Sequence, residues 1–155
     1  MSRAPFQVLV LPYRRSGARI EYAMFRRADL GVWQGIAGGG ENDETPDEAA
    51  SREAFEEAGI SSSSPLQRLD SVSAIAVEHF SDRQSWDPSL ATIPEYSYAV
   101  NAAEQPLQLS VAHTDVRWVD LEEGLAMLEW ESNRTALREL DEHLTGAASD
   151  RTRGS

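Results

Sequence analysis

Three glutamates, Glu53, Glu56 and Glu57, stand three and four residues apart in a stretch that reads as one helix ending near Gly59. Positions with that spacing share one helix face, so the carboxylates repel each other unless a cation sits among them. Arg52 is adjacent in sequence, but it is offset by roughly 100° from Glu53 around the helix. A hard divalent cation is therefore the better partner. Mg²⁺ takes oxygen ligands, keeps several waters and is commonly completed by substrate phosphates. A metal ion held this way can polarise a phosphate oxygen or lower the pKa of a bound water. A solvated acidic helix is the plain alternative.

Local signals fix the helix that carries these groups. Thr45 caps it, Pro46 suits the first helical position, and Glu48 completes a capping box with Thr45. Gly59 sits where a left-handed turn ends a helix. Ala50, Ala54 and Ala58 form a thin apolar stripe that lets the helix lie close to a sheet and hold its carboxylates at a fixed depth. The preceding run Gly38-Gly39-Gly40 allows a ligand or metal to approach the backbone closely.

The spacing is more specific than the cluster. Gly38, five residues, Glu44, seven residues, Arg52-Glu53, Ala54 in the aliphatic slot, Glu56-Glu57 and Gly59-Ile60 match the NUDIX box at every fixed position. The chain thus resembles the NUDIX hydrolases, which cleave nucleoside diphosphates linked to another group. The resemblance implies an α/β fold, an α/β/α sandwich with a mixed central sheet. It implies Mg²⁺ or Mn²⁺ as cofactor, held by Glu53, Glu56 and Glu57, with a backbone carbonyl of Gly38 or Gly39 completing the shell. Glu57 or Glu53 is then the group that orients or deprotonates water. Arg52 and Glu44 support the box by pairing.

Shorter matches extend the likeness. Trp33-Gln34, Arg117-Trp118 and Trp130-Glu131-Ser132-Asn133-Arg134 are similar to a bacterial NUDIX branch that includes an enzyme acting on dihydroneopterin triphosphate and dATP, and Ile93-Pro94-Glu95-Tyr96 is similar to uncharacterised members of that branch. In that branch a Glu-His pair precedes the strand that ends in Trp, and the Glu resembles an extra metal ligand or water activator. Here the pair reads Ala112-His113, and alanine can neither bind metal nor accept a proton. Glu95 is the first candidate replacement and Asp115 the second, while His113 is a further possible metal ligand. On the substrate side, the expected contacts are Arg27 for phosphate, with a solvated strand end as its plain alternative, Trp33 for a stacked ring, with a buried strand residue as its alternative, and Glu95. An 8-oxo-dGTP-sanitising enzyme and a nucleotide sensor that does not cleave remain as alternative readings of the same box.

Composition narrows the partners. The 155 residues carry a net charge of −12, with 14 basic and 26 acidic side chains. This disfavours nucleic acid polymers and anionic membranes, which need a basic face, and leaves a small phosphorylated substrate whose charge is screened locally. There are no cysteines, hence no disulfides or thiolate metal sites. Every basic residue is arginine, an expected consequence of a GC-rich genome or, less directly, of adaptation to salt. No apolar run approaches a membrane span, and the first residues lack a signal pattern; a cytoplasmic protein is expected, with a homodimer left open.

The remaining elements follow in order. Residues 1–5 read as a loose lead-in, 6–13 and 20–25 as a strand hairpin, and 33–37 as a short strand feeding the box. One long strand or two short ones are expected over 66–80, then a polar loop over 81–94 of a length common in lids. Strands follow over 95–101 and 116–119, and a helix over 121–130. Ser132 is expected to cap a final helix running to about Leu144. One domain over 1–144 and a disordered tail over 145–155 complete the expectation.

Overall fold

The computed structural model describes residues 3–103 and 105–146. Seven strands form one mixed sheet: β1 Arg3–Ser16, β2 Arg19–Arg27, β3 Trp33–Gln34, β4 Ile36–Glu41, β5 Leu66–Ala76, β6 Thr92–Asn101 and β7 His113–Val119. Three helices flank it: α1 Pro46–Ala58, α2 Leu121–Met127 and α3 Glu131–Thr145. β1 is central, parallel to β6 on one edge and antiparallel to β2 and β4 on the other. Its side chains alternate between two cores. Val8 and Val10 pack with Ala50, Ala54 and Ala58 of α1, while Leu9 and Leu11 pack with Ala136, Leu137 and Leu140 of α3. Strands buried on both faces account for the nearly unbroken apolar run in β1. Among the described residues, no helix is long and apolar enough to cross a membrane.

The topology opens a wedge. β1 and β2 pair only near their hairpin, from Tyr13↔Tyr22 to Ser16↔Arg19, and then diverge. β3 and β4 enter that wedge as a kinked strand, first along β2 and then along β1. The kink is Gly35, where a Cβ would overlap Leu9 and Leu11 side chains. Its N–H donates to Asn133 Oδ1 of α3 at 2.9 Å.

Several expectations need correction. Of the lead-in, residues 3–5 are strand, with Arg3 paired to Glu41 across β1 and β4, and residues 1–2 lie outside the described residues. The single strand over 33–37 is two strands, broken at Gly35. β5 ends at Ala76, and the loop beyond it contains two short 3₁₀ segments, Val77–His79 and Ser81–Ser85. Trp86 anchors that loop, 8% exposed, its indole N–H donating to the Arg3 carbonyl at 2.8 Å. Ser132 does not cap α3. The cap is Trp130, whose indole N–H donates to Gln34 Oε1 at 3.0 Å and so fixes where the helix begins. Of the expected tail, residues 147–155 lie outside the described residues.

Candidate active site

α1 begins and ends as its sequence dictates. Thr45 and Glu48 form the reciprocal capping box, and Gly59 stops the helix in the left-handed region at φ 72°. Ala49, Ala50, Ala54 and Ala58 are buried against the sheet. Methyl-sized contacts bring the helix close enough for Glu53 to lie directly on β4: a Cβ at Gly38 would overlap the Glu53 carboxylate. A Cβ at Gly39 would overlap the Arg3 guanidinium, and one at Gly40 the Phe6 ring. Three protein side chains crossing β4 thus account for the glycine run, which the sequence suggested was open to a ligand.

Arg52 corrects a second expectation. Its Nη1 donates to Glu53 Oε1 and Glu56 Oε1, each at 2.8 Å, and its Nε donates to Glu44 Oε2 at 2.7 Å. Nη2 reaches Glu44 Oε1 at 3.0 Å and the Gly39 carbonyl at 2.8 Å. The long arginine arm swings back over the helix, so the azimuth of its Cα does not determine where its charge lands. Glu44 is held below the usual carboxylate range, chiefly by Arg52. Its Oε1 also accepts the Glu41 N–H at 2.9 Å, which ties the turn before α1 to the helix.

Arg52 leaves Glu57 without a cation. The Glu57 carboxyl is pushed up to about 9, first by burial and next by the adjacent Glu53 carboxylate. Burial also raises Glu53, against the opposing pull of Glu57 and Arg52. Two facing carboxyls in one low-dielectric place cannot both ionise cheaply. Glu57 Oε1 is buried and no hydrogen-bond donor reaches it. Nε2 of His113 lies 3.8 Å from it, beyond hydrogen-bond distance. That imidazole is enclosed and its pKa is lowered, by burial and then by Arg27. It therefore stands beside Glu57 as a neutral ring and offers no compensating charge.

Glu57 opens into a cleft of about 1300 Å³ in the wedge between β4 and the ends of β2 and β7. Gly38, Arg27, Glu95, Ala112 and His113 also line it. Glu53 lies behind Gly38, and Arg52, Glu44 and Glu56 lie outside the lining. Arg27 is in the cleft, but Asp29 holds it in a two-pronged ion pair at 2.9 and 2.5 Å. Trp33 is not in the lining. The strand alternation of β3 turns Gln34 toward the cleft and Trp33 toward the α3-side core, where Arg117 covers its ring at 5.1 Å. Asp115 also lies outside the lining and pairs with Arg117 at 3.7 Å.

Glu95 enters the same cleft from the other face of the sheet. It pairs in register with Gln7, one residue before Val8 of the α1-side core, and so shares the face of Leu9. Only 5% of it is exposed. Burial raises its pKa, opposed by a hydrogen bond to the Ser132 side chain.

Sequence reasoning missed Arg3. Its side chain lies against Gly39 and beside the edge-packed rings of Phe80 and Trp86, 5.1 and 5.7 Å from their centroids. It donates to Gln7 Oε1 at 2.6 Å, and its one carboxylate contact among the described residues is a long one, 3.5 Å to Asp82. It is thus a less neutralised cation than Arg27 in the cleft lining. Neither Arg3-Ala4-Pro5 nor the loop containing Trp86 carries a local signal of this arrangement. Trp130, noted in the sequence only for the branch resemblance, also lines the cleft.

A separate trio outside the cleft, Asp70, Glu139 and His143, has metal-ligand types within reach of one another. The Glu139 carboxylate there already accepts the Asp70 and Ser71 N–H groups and the Ser71 hydroxyl, and so ties α3 to β5.

Residues 5–142 match the model of the NUDIX domain. The chain is 26% identical over 135 residues to dihydroneopterin triphosphate diphosphatase of Haemophilus influenzae, covering 84% of each chain. Among solved structures, it is similar to a protein of Listeria monocytogenes assigned as a NUDIX hydrolase, with TM-score 0.84, 38% identity and coverage of 93% of this chain and 97% of that one. It is also similar to dihydroneopterin triphosphate pyrophosphohydrolase of Escherichia coli, with TM-score 0.71, 25% identity and coverage of 88% and 94%.

Proposed function

We propose that this pyrophosphohydrolase, which belongs to the NUDIX family, uses a divalent cation held at α1 to cleave a pyrophosphate bond in a nucleoside triphosphate or related triphosphate, with dihydroneopterin triphosphate the first candidate. The observation that carries the cation is the buried Glu53–Glu57 pair, which has an oxygen that no donor reaches and no cation of its own at Glu57. The substrate reading is supported by two relatives that carry the name of that activity.

The donor set suits Mg²⁺ or Mn²⁺, since every group is a hard oxygen. Glu53 and Glu57 would hold the ion, with Glu56 and the Gly38 carbonyl contributing. When bound, the ion supplies positive charge to the phosphate oxygens and acidity to water. The chain's own residues do the rest. Arg52 fixes Glu53 and Glu56 so that their free oxygens keep one orientation. Glu57 takes the proton of the attacking water, because it is the box carboxylate that lines the cleft. Arg3 meets the phosphate chain as it enters, its guanidinium packed against the rings of Phe80 and Trp86. The oxygen of water bonds to phosphorus, the bridging P–O bond between the α and β phosphoryl groups breaks, and the group on its far side leaves with the electron pair.

Incubating the pure protein with Mg²⁺ and a panel of triphosphates, NDP-sugars, ADP-ribose and dinucleoside polyphosphates tests this. The expected result is monophosphate plus pyrophosphate from a triphosphate, abolished by chelator. A folded protein that turns over no triphosphate overturns the reading. Tight binding with no product would favour a sensor.

A further inference from the structure

We propose that Glu95 reads the head group of the substrate, accepting the adjacent ring N–H and exocyclic NH₂ of a 2-amino-4-oxopyrimidine edge, which pterin and guanine share. This rests on the triphosphate hydrolysis argued above and specifies its substrate.

Three observations converge. First, Glu95 is 5% exposed, lines the cleft, and has an oxygen, Oε1, that meets no hydrogen-bond donor. A buried acceptor left in this state is unfavourable, and a ligand donor relieves it. Second, three other side-chain acceptors that line the cleft are already engaged. Gln7 Oε1 takes a hydrogen bond from Arg3, Gln34 Oε1 from the Trp130 indole, and Asn133 Oδ1 from the Gly35 N–H. With their carbonyl ends so fixed, the side-chain NH₂ groups of Gln7 and Gln34 are the ends left to donate. This part of the cleft therefore presents one carboxylate as acceptor and amide NH₂ groups as donors. The complementary ring has paired N–H donors flanked by a carbonyl oxygen. Third, Trp130 and Phe80 line the same cleft and offer flat apolar surfaces to a heterocycle.

The position of Glu95 separates this role from metal binding. Its register partner Gln7 lies on the α3 face of the sheet, its hydrogen-bond partner is Ser132 in the first turn of α3, and the box carboxylates approach from α1 on the opposite face. Adenine lacks the edge in question, because its ring nitrogen beside the amino group is an acceptor.

The experiment compares dGTP with dITP, which differ only in the 2-amino group. Each is measured as kcat/KM with Mg²⁺, or as a competitive inhibitor of dihydroneopterin triphosphate hydrolysis, for wild type and Glu95→Gln. We expect dGTP to exceed dITP by about tenfold or more in the wild type, as for sites built to bond a donor group. We expect the ratio to collapse to near one in Glu95→Gln, with the loss mainly in KM and with an unchanged Mg²⁺ dependence. A wild-type ratio near one overturns the proposal without relying on any variant. So does a ratio that survives in Glu95→Gln, or a shift in Mg²⁺ dependence there. Comparing dGTP with dihydroneopterin triphosphate shows which ring is the better fit. Failure to hydrolyse any triphosphate instead refutes the reading on which the proposal rests.

Discussion

Glu57→Gln tests the electrostatics of the site without any substrate. In the metal-free protein, burial and Glu53 push the Glu57 carboxyl from 4.5 up to about 9. The unfolded chain ionises this group near its ordinary value, whereas the folded chain retains the proton. The folded state then binds more protons than the unfolded one, so stability falls as pH rises between those two values. At 1.36 kcal/mol per pH unit, the ceiling of this effect is about 2–3 kcal/mol between about pH 5 and pH 7. A neutral glutamine amide mimics the protonated carboxyl and removes the penalty. Metal-free Glu57→Gln should therefore match wild type near pH 5 and exceed it near pH 7 by roughly 2 kcal/mol, or on the order of 5 °C in Tm for a chain of this size. Denaturation in the presence of chelator at several pH values measures this. A variant less stable than wild type across the whole range refutes the reasoning, because Glu57 would then be a hydrogen-bonding strut and not a strained acid.

The same strain makes cation binding proton-linked: Mg²⁺ titration near neutral pH should release close to one proton per ion, read by calorimetry in two buffers of different ionisation enthalpy. Arg52→Ala removes the partner of Glu44, Glu53 and Glu56 together; it should cost about 3–5 kcal/mol of stability and nearly all turnover, whereas loss of turnover alone would make Arg52 purely catalytic. Arg3→Gln should raise KM by about tenfold with kcat within a few-fold, a loss of roughly 1.4 kcal/mol of phosphate contact; an unchanged KM removes Arg3 from the substrate path. Ala112→Glu places a carboxylate in the cleft beside His113 and should lower the Mg²⁺ concentration for half-maximal rate; an unchanged value shows that this position does not face the ion.

What the sequence revealed depended on how local each signal was. α1 was legible to the residue, because Thr45, Pro46, Glu48 and Gly59 act within one turn of the helix ends. The alanine stripe was legible for the same reason. The α/β/α layering came from the box resemblance, and the comparisons support it. The sheet order was not legible: the sharing of one β1 edge between β2 and β4 depends on the kink at Gly35, which α3 secures through Asn133. Arg52 was misread because a long side chain can cross the helix face that its Cα does not share. Trp33 was placed on the substrate side by analogy, but alternation in a two-residue strand gives the cleft to Gln34. The cleft cation Arg3 was hidden because its cage is assembled from Gly39, Phe80 and Trp86, far apart in the chain.

The most direct test of the cation at α1 is to titrate Mn²⁺ into the protein and follow bound ion by electron paramagnetic resonance while measuring triphosphate turnover in the same samples. Wild type should bind Mn²⁺ with an affinity that tracks the onset of turnover, and Glu57→Gln and Glu53→Gln should each weaken binding and turnover together while remaining folded. Undiminished Mn²⁺ binding in both variants, or full turnover in the presence of chelator, would contradict the account.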